Sequence, residues 1–197
     1  MTETKQIRNA RPYEATPIAS LIIQAMQEEC CRYFCGNDCS MDDYLQLMAE
    51  MVRRDDTQYS YRNTLCAVNA DDRTVGIIVS YDGARLAELR RPYLEALLSR
   101  YGRDMSHIDD ETEAGELYLD SLAVSPDYQG QGIATRLLQA AADKAAAMGI
   151  GAVGLLVDDN NPKAEKLYHR CGFVTVGDNR WGGHAMRHLQ KKTNLKL

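Results

Sequence analysis

The alternation of apolar and polar positions changes period several times along the chain. Lys5 to Ala10 reads as a short strand. From Ala15 to Glu29, apolar residues fall at Ile18, Leu21, Ile22, Ala25 and Met26, the spacing of one helix face. Ser40 precedes a second helical stretch, Met41 to Arg53, and Asp43 stands three residues on, as in a capping box. Its apolar stripe is Tyr44, Leu45, Leu47, Met48, Met51 and Val52. Thr64 to Asn69 and Thr74 to Tyr81 read as strands, and the polar link ADDR between them as a hairpin turn. Ala84 to Tyr101 is helical by composition, with Pro92 predicting a kink or break.

The link MSHIDDETEAG is acidic and reads as exposed. Glu116 to Val124 is a strand, Gly132 to Met148 a helix, and Ala152 to Val157 a strand. Asn161 to Arg170 is a short helix, and Phe173 to Val176 and His184 to His188 are closing strands. Strands and helices mix throughout, so the predicted class is α/β (α+β). No linker divides the chain, which predicts one domain over residues 1–197, long enough for a sizeable core.

Composition narrows the function. The chain is 45% hydrophobic and 26% charged, ordinary for a globular protein, and its net charge of -5 argues against a nucleic-acid partner. No apolar run is long enough to cross a membrane. The N-terminal MTETKQIRNARP lacks the apolar centre of a signal peptide, so a cytoplasmic location is expected. The six cysteines are then expected as thiols. Four of them, Cys30, Cys31, Cys35 and Cys39, cluster in CCRYFCGNDC. Their spacing lacks the paired pattern of common zinc modules, so a helix end and loop with small thiols is favoured over a metal site.

The chemistry concentrates in YQGQGIATRLL, Tyr128 to Leu138. Gly130 and Gly132 stand where a loop becomes a helix. A helix start has unpaired N–H groups and the positive end of the dipole, which together bind phosphate. Glycines let the backbone approach a phosphate and adopt positive φ. A Walker loop is excluded, because no Lys follows. A dinucleotide fingerprint needs a third Gly or Ala where Thr135 stands, and needs its glycines directly behind the strand, where SPDY intervenes.

Gln129-Gly130-Gln131-Gly132-Ile133-Ala134 matches Q/R-x-x-G-x-G/A. Behind a strand ending LAV-x-P, it resembles the GNAT superfamily of N-acetyltransferases. NPKAEKLYHRCGF, Asn161 to Phe173, resembles that family's following helix. The resemblance is firm over residues 116–176 and vaguer over residues 5–81. It implies a mixed, mostly antiparallel central sheet flanked by helices, acetyl-CoA as co-substrate, no metal, and an amine acceptor that is a small molecule or peptide. It also implies roles for residues. The backbone of Leu122, Ala123 and Val124 would bind pantetheine. Gln129, Gly130, Gln131, Gly132, Ile133 and Ala134 would grip the pyrophosphate, with Thr135 and Arg136 adding a hydroxyl and a charge. Arg136 reads equally as a solvated surface arginine.

Aminolysis of a thioester needs a neutral amine. An amine of pKa ~10.4 costs about 4–5 kcal/mol to deprotonate at pH 7, so a base is wanted. Strand alternation puts Glu116, Tyr118, Asp120 and Leu122 on one side. The resemblance implies that this side faces the acceptor, with Asp120 and then Glu116 as base, acting through water. Asp120 paired to an arginine for structure is the competing reading. Tyr168 would be the acid toward the CoA sulfur, or else a core tyrosine. Asn161 would contact the pantetheine arm, cap its helix, or both. Tyr33, Phe34, Tyr81, Asp82 and Tyr118 are candidate acceptor contacts, although Asp82-Gly83 also reads as turn chemistry. Residues 82–115 depart from the family pattern and are expected to form a lid, a wall or a homodimer contact. Trp181 and His184 receive no role. A non-catalytic CoA-binding sensor on the same fold is the alternative function.

Overall fold

The computed structural model describes residues 6–194, so Lys5, the expected start of the first strand, lies outside the described residues. Seven strands, β1 (Gln6–Asn9), β2 (Thr64–Val68), β3 (Thr74–Asp82), β4 (Leu117–Val124), β5 (Ala152–Asp158), β6 (Val174–Trp181) and β7 (His184–Lys192), form one sheet in the order β1-β2-β3-β4-β5-β7-β6. Every neighbouring pair is antiparallel except β4 with β5. Five α-helices flank it: α1 (Ala15–Cys35), α2 (Met41–Arg53), α3 (Leu86–Tyr101), α4 (Ile133–Ala147) and α5 (Pro162–Arg170). The mixed α/β class and the mostly antiparallel sheet are as expected.

Two apolar layers hold the helices to the sheet. Ile18 and Ile22 of α1, Leu47 and Met48 of α2, and Tyr93 and Leu97 of α3 pack on Ile77 and Val79 of β3. On the other face Ile133, Leu137, Leu138 and Ala141 of α4 pack on Ile78, Leu119, Val153 and Leu155. Ser40 caps α2, its Oγ accepting the Asp43 N–H at 3.0 Å. In the ADDR turn, Asn69 Oδ1 accepts the N–H groups of Asp71 and Arg73, both at 3.0 Å.

Several elements differ from expectation. Helix α1 does not end at Glu29 but runs to Cys35, broken within at Gln27, whose φ of 64° and ψ of 162° lie outside helical values. Three of the clustered cysteines therefore sit on a helix. Pro92 does not end α3: it is buried among Leu89, Tyr93 and Leu97, and the single lost bond to the carbonyl four residues back is offset by that packing. The acidic link after α3 is not wholly exposed, since Glu111 is buried. The closing strands are longer than expected and form a hairpin.

Strand β4 carries the most consequential departure. Its register against β3 passes from Val79↔Ser121 to Ser80↔Leu119, which leaves Asp120 as an extra residue in a bulge. Alternation is broken there. Leu117 and Leu119 face α4 and Tyr118 faces α3, but past the bulge Leu122 and Val124 face α4 and Ala123 faces α1. Leu122 is thus not on the side of Tyr118, as simple alternation placed it.

Candidate active site

β4 and β5 pair at Leu117↔Val153 and Tyr118↔Gly154, and their ladder stops there, although both strands continue. Where the ladder stops, a cavity of about 470 Å³ opens, lined on one side by Asp120, Ser121 and Leu122 and on the other by Leu156, Val157 and Asp158. Asn161, Ala164 and Tyr168 of the α5 region line it too, as do Tyr33 and Phe34 of α1, Arg90 and Tyr93 of α3, and Trp181 and His184 of the final hairpin. Residues 82–115 are therefore a wall of the cavity. Their anchor is Glu111, whose carboxylate accepts from Tyr81 Oη and from Arg90 Nη1, each at 3.0 Å.

Asp120 lies in this cavity with two neutral partners. Gln58 Nε2 donates to its Oδ1 at 3.3 Å, and Ser121 Oγ donates to its Oδ2 at 2.9 Å. Burial, and after it the nearby Glu111 carboxylate, push the Asp120 carboxyl up to about 7, against the pull of the two hydrogen bonds. A carboxyl at that value is poised to take a proton near neutrality. Tyr168 packs edge-on against Phe173, with ring centroids 5.9 Å apart, and its hydroxyl has no hydrogen-bond partner among the described residues. Burial pushes that phenol up to about 12, so it stays protonated.

The aromatic wall is continuous. Phe34 lies 5.4 Å from Tyr33, 5.3 Å from Tyr93 and 5.8 Å from Trp181, measured between ring centroids. The Trp181 indole N–H lies toward Glu111 without reaching hydrogen-bond geometry. Cys30 lines the cavity as well, its thiol pushed up to about 12 by burial, so it is no ready nucleophile. Among the described residues no group of three or more His, Cys, Asp or Glu is arranged to hold a metal ion.

The family model for the acetyltransferase (GNAT) family matches residues 23–173 of this sequence. The chain belongs to that family. Acetyltransferase Atu2258 of Agrobacterium fabrum is 32% identical over 101 residues, which is 51% of this chain and 72% of that protein. A solved acetyltransferase, 30% identical, covers 96% of this chain and 100% of its own with a TM-score of 0.78. The solved N-acetyltransferase from Staphylococcus aureus Mu50 is 26% identical and covers 94% and 100%, also with a TM-score of 0.78.

GNAT acetyltransferases draw their acyl group from acetyl-CoA, and the glycine loop fits that group. Gly130 and Gly132 have φ of 73° and 76°, and nothing lies within 4 Å of where a Cβ would stand on either. The start of α4 has no side-chain cap, so its first N–H groups point outward unclaimed by a side chain. Ile133 is buried and pins the helix start to the sheet, while Gln129, Gln131, Thr135 and Arg136 are exposed and Ala134 is half-buried. Val124 O accepts from both Gln129 Nε2 and Gln24 Nε2 at 3.0 Å, which fixes the strand end leading into the loop. Asn161 caps α5, its Oδ1 accepting the Ala164 N–H at 3.1 Å, and it also faces the cavity.

Of the residues predicted from sequence, Tyr33, Phe34, Tyr118, Asp120, Leu122, Asn161 and Tyr168 meet in the one cavity. Among the candidates for base and acceptor contacts, Asp82, Tyr81 and Glu116 do not line it. Asp82 Oδ1 accepts the Ala84 N–H at 3.0 Å, which is the turn chemistry. Tyr81 stands behind the wall on Glu111. Glu116 is 1% exposed and turned toward β7, accepting from Thr112 Oγ1 and Gln190 Nε2, both at 2.7 Å. The sequence reading missed Gln58, Arg90, Tyr93 and Glu111. Trp181 and His184 line the cavity too, but nothing in the sequence near them signals that the final hairpin returns to it.

Proposed function

We propose that this GNAT acetyltransferase moves an acetyl group from acetyl-CoA to a primary amine by direct attack. The observation that carries this is the cavity at the parting of β4 and β5. It holds a half-buried carboxylate with only neutral partners, Asp120, and a half-buried phenol with an unengaged hydroxyl, Tyr168.

The Gln129 to Ala134 backbone and the start of α4 hold the pyrophosphate, and Leu122 to Val124 with Asn161 flank the pantetheine arm. Bound there, acetyl-CoA supplies an activated thioester. Asp120 accepts the proton of the incoming ammonium at its carboxylate, directly or through water. Tyr168 holds a proton on its hydroxyl for the leaving sulfur. The aromatic wall and residues 82–115 exclude bulk water, which strengthens each of these interactions. Glu116, fully engaged in a hydrogen-bond network away from the cavity, is the weaker candidate for the base.

The test is free-thiol release from acetyl-CoA with a panel of amines, alongside thermal stabilisation by acetyl-CoA and CoA. Stabilisation with amine-dependent thiol release supports the reading. Stabilisation without release by any amine would mean a CoA-binding sensor instead.

A further inference from the structure

The carboxylates lining the cavity differ in their partners. Glu111 accepts from Arg90 at 3.0 Å, and Asp158 Oδ2 stands 3.3 Å from His184 Nδ1. Glu29 is exposed at the rim, where water solvates it. Asp120 is half-buried, and it faces no basic side chain among the described residues. Holding a carboxylate away from bulk water without a counter-charge is costly, which favours a cation beside it.

A second buried group is unfinished beside it. Gln58 is 3% exposed, and its Oε1 accepts no hydrogen bond although its Nε2 is committed to Asp120. The residue cannot easily turn away. Its backbone N–H donates to Leu89 O at 2.9 Å and its backbone carbonyl accepts Asn63 Nδ2 at 3.2 Å. Gln58 and Asp120 are hydrogen-bonded neighbours that both line the cavity, and an amide carbonyl beside a carboxylate matches an ammonium, which has three donors and no acceptor. The surface beyond them includes the apolar and aromatic side chains of Phe34, Tyr93, Leu94 and Trp181.

We propose that the acceptor is a monocationic primary amine with a compact apolar tail, its ammonium held between Asp120 and the Gln58 carbonyl oxygen. The proposal rests on the acetyltransferase reading above and deepens it. A polyamine would carry further charges along a wall whose enclosed carboxylates are already paired. A free amino acid would bring a carboxylate toward Asp120 and Glu111. A neutral tail meets the wall without either cost.

The test compares n-hexylamine and 2-phenylethylamine with spermidine and L-lysine, by thiol release from acetyl-CoA, for the intact chain. The expected result is a kcat/KM at least about tenfold higher for a monoamine than for spermidine or lysine. Gln58→Leu should lower the monoamine kcat/KM by about tenfold or more, while stabilisation by acetyl-CoA is unchanged. Equal or better turnover of spermidine or lysine overturns the proposal and leaves the acetyltransferase reading standing. So does a Gln58→Leu variant with unaltered monoamine kinetics. Absence of both acetyl-CoA stabilisation and thiol release overturns the two together.

Discussion

Glu116 Oε2 stands 2.8 Å from His188 Nε2 and ties the end of the 82–115 segment to β7. Desolvation alone would raise the Glu116 carboxyl, but hydrogen bonds from His188, Thr112 and Gln190 hold it below its usual value. The same carboxylate raises His188. A lowered acid stabilises the fold above its unfolded pKa, and that contribution fades as pH falls through the folded value. A raised histidine stabilises below its unfolded pKa, and its contribution fades as pH rises through the folded value. The pair therefore contributes most between about pH 4.3 and 6.5. Glu116→Gln should cost about 1–3 kcal/mol in that window, read by denaturant melts, and less on either side of it. Thiol release should fall by no more than about threefold, a loss too small for removal of a general base.

Asp120 carries the opposite sign. Its carboxyl is raised to about 7 in the folded chain by burial and by Glu111. As pH rises from about 3.9, the unfolded chain loses this proton first, so stability falls until the folded value is passed. Asp120→Asn should therefore raise the melting temperature at pH 8 and change it little at pH 4. The same variant should lose about 10²–10⁴ in kcat. In the parent protein kcat/KM should rise with pH through about 7, and that limb should vanish in the variant. An unchanged melting temperature at pH 8 would mean that Asp120 is better compensated than its neutral partners imply.

Gly132 and Gly154 need the absence of a side chain for different reasons. A Cβ on Gly132 meets nothing within 4 Å, so the constraint is its φ of 76° and the pyrophosphate proposed to bind there. A Cβ on Gly154 would fall 1.7 Å from Glu116 Oε2. Gly132→Val should leave a cooperative fold, weakened by about 1–2 kcal/mol from the positive φ, and should sharply reduce CoA affinity in calorimetry. Gly154→Ala should destabilise the chain more, by displacing Glu116, and should spare CoA affinity in whatever fraction remains folded. Retained CoA binding in Gly132→Val would remove the pyrophosphate assignment.

What could be read ahead of the structure was local chemistry. Ser40 and Asp43 announce α2 because a cap is a contact between near neighbours. The glycine loop and Tyr168 are legible because their motifs are contiguous. The bulge at Asp120 was not, because a bulge is a property of two paired strands and leaves no mark in ELYLDSLAV. Glu111 was hidden for a similar reason. Among acidic neighbours it looks solvated, and only the distant Tyr81 and Arg90 make its burial tolerable. The break at Gln27 has no glycine to signal it. The cavity wall is assembled from such long-range relations, whereas the glycine loop is a contiguous motif.

Tyr168 gives the sharpest separation between acid catalysis and packing. Its ring is set by Phe173, so Tyr168→Phe removes only the hydroxyl and should change stability by less than about 1 kcal/mol. If that hydroxyl serves the leaving sulfur, kcat should drop by about 10²–10⁴ with little change in the KM for amine. Because burial holds the phenol near 12, the parent enzyme should show no loss of rate from this group up to about pH 10. The measurement that checks it is the pH dependence of thiol release in both proteins, together with the rate for an acetyl thioester of a more acidic thiol. A better leaving group needs less help, so it should narrow the gap between parent and variant. A gap that stays constant across leaving groups would assign Tyr168 to packing.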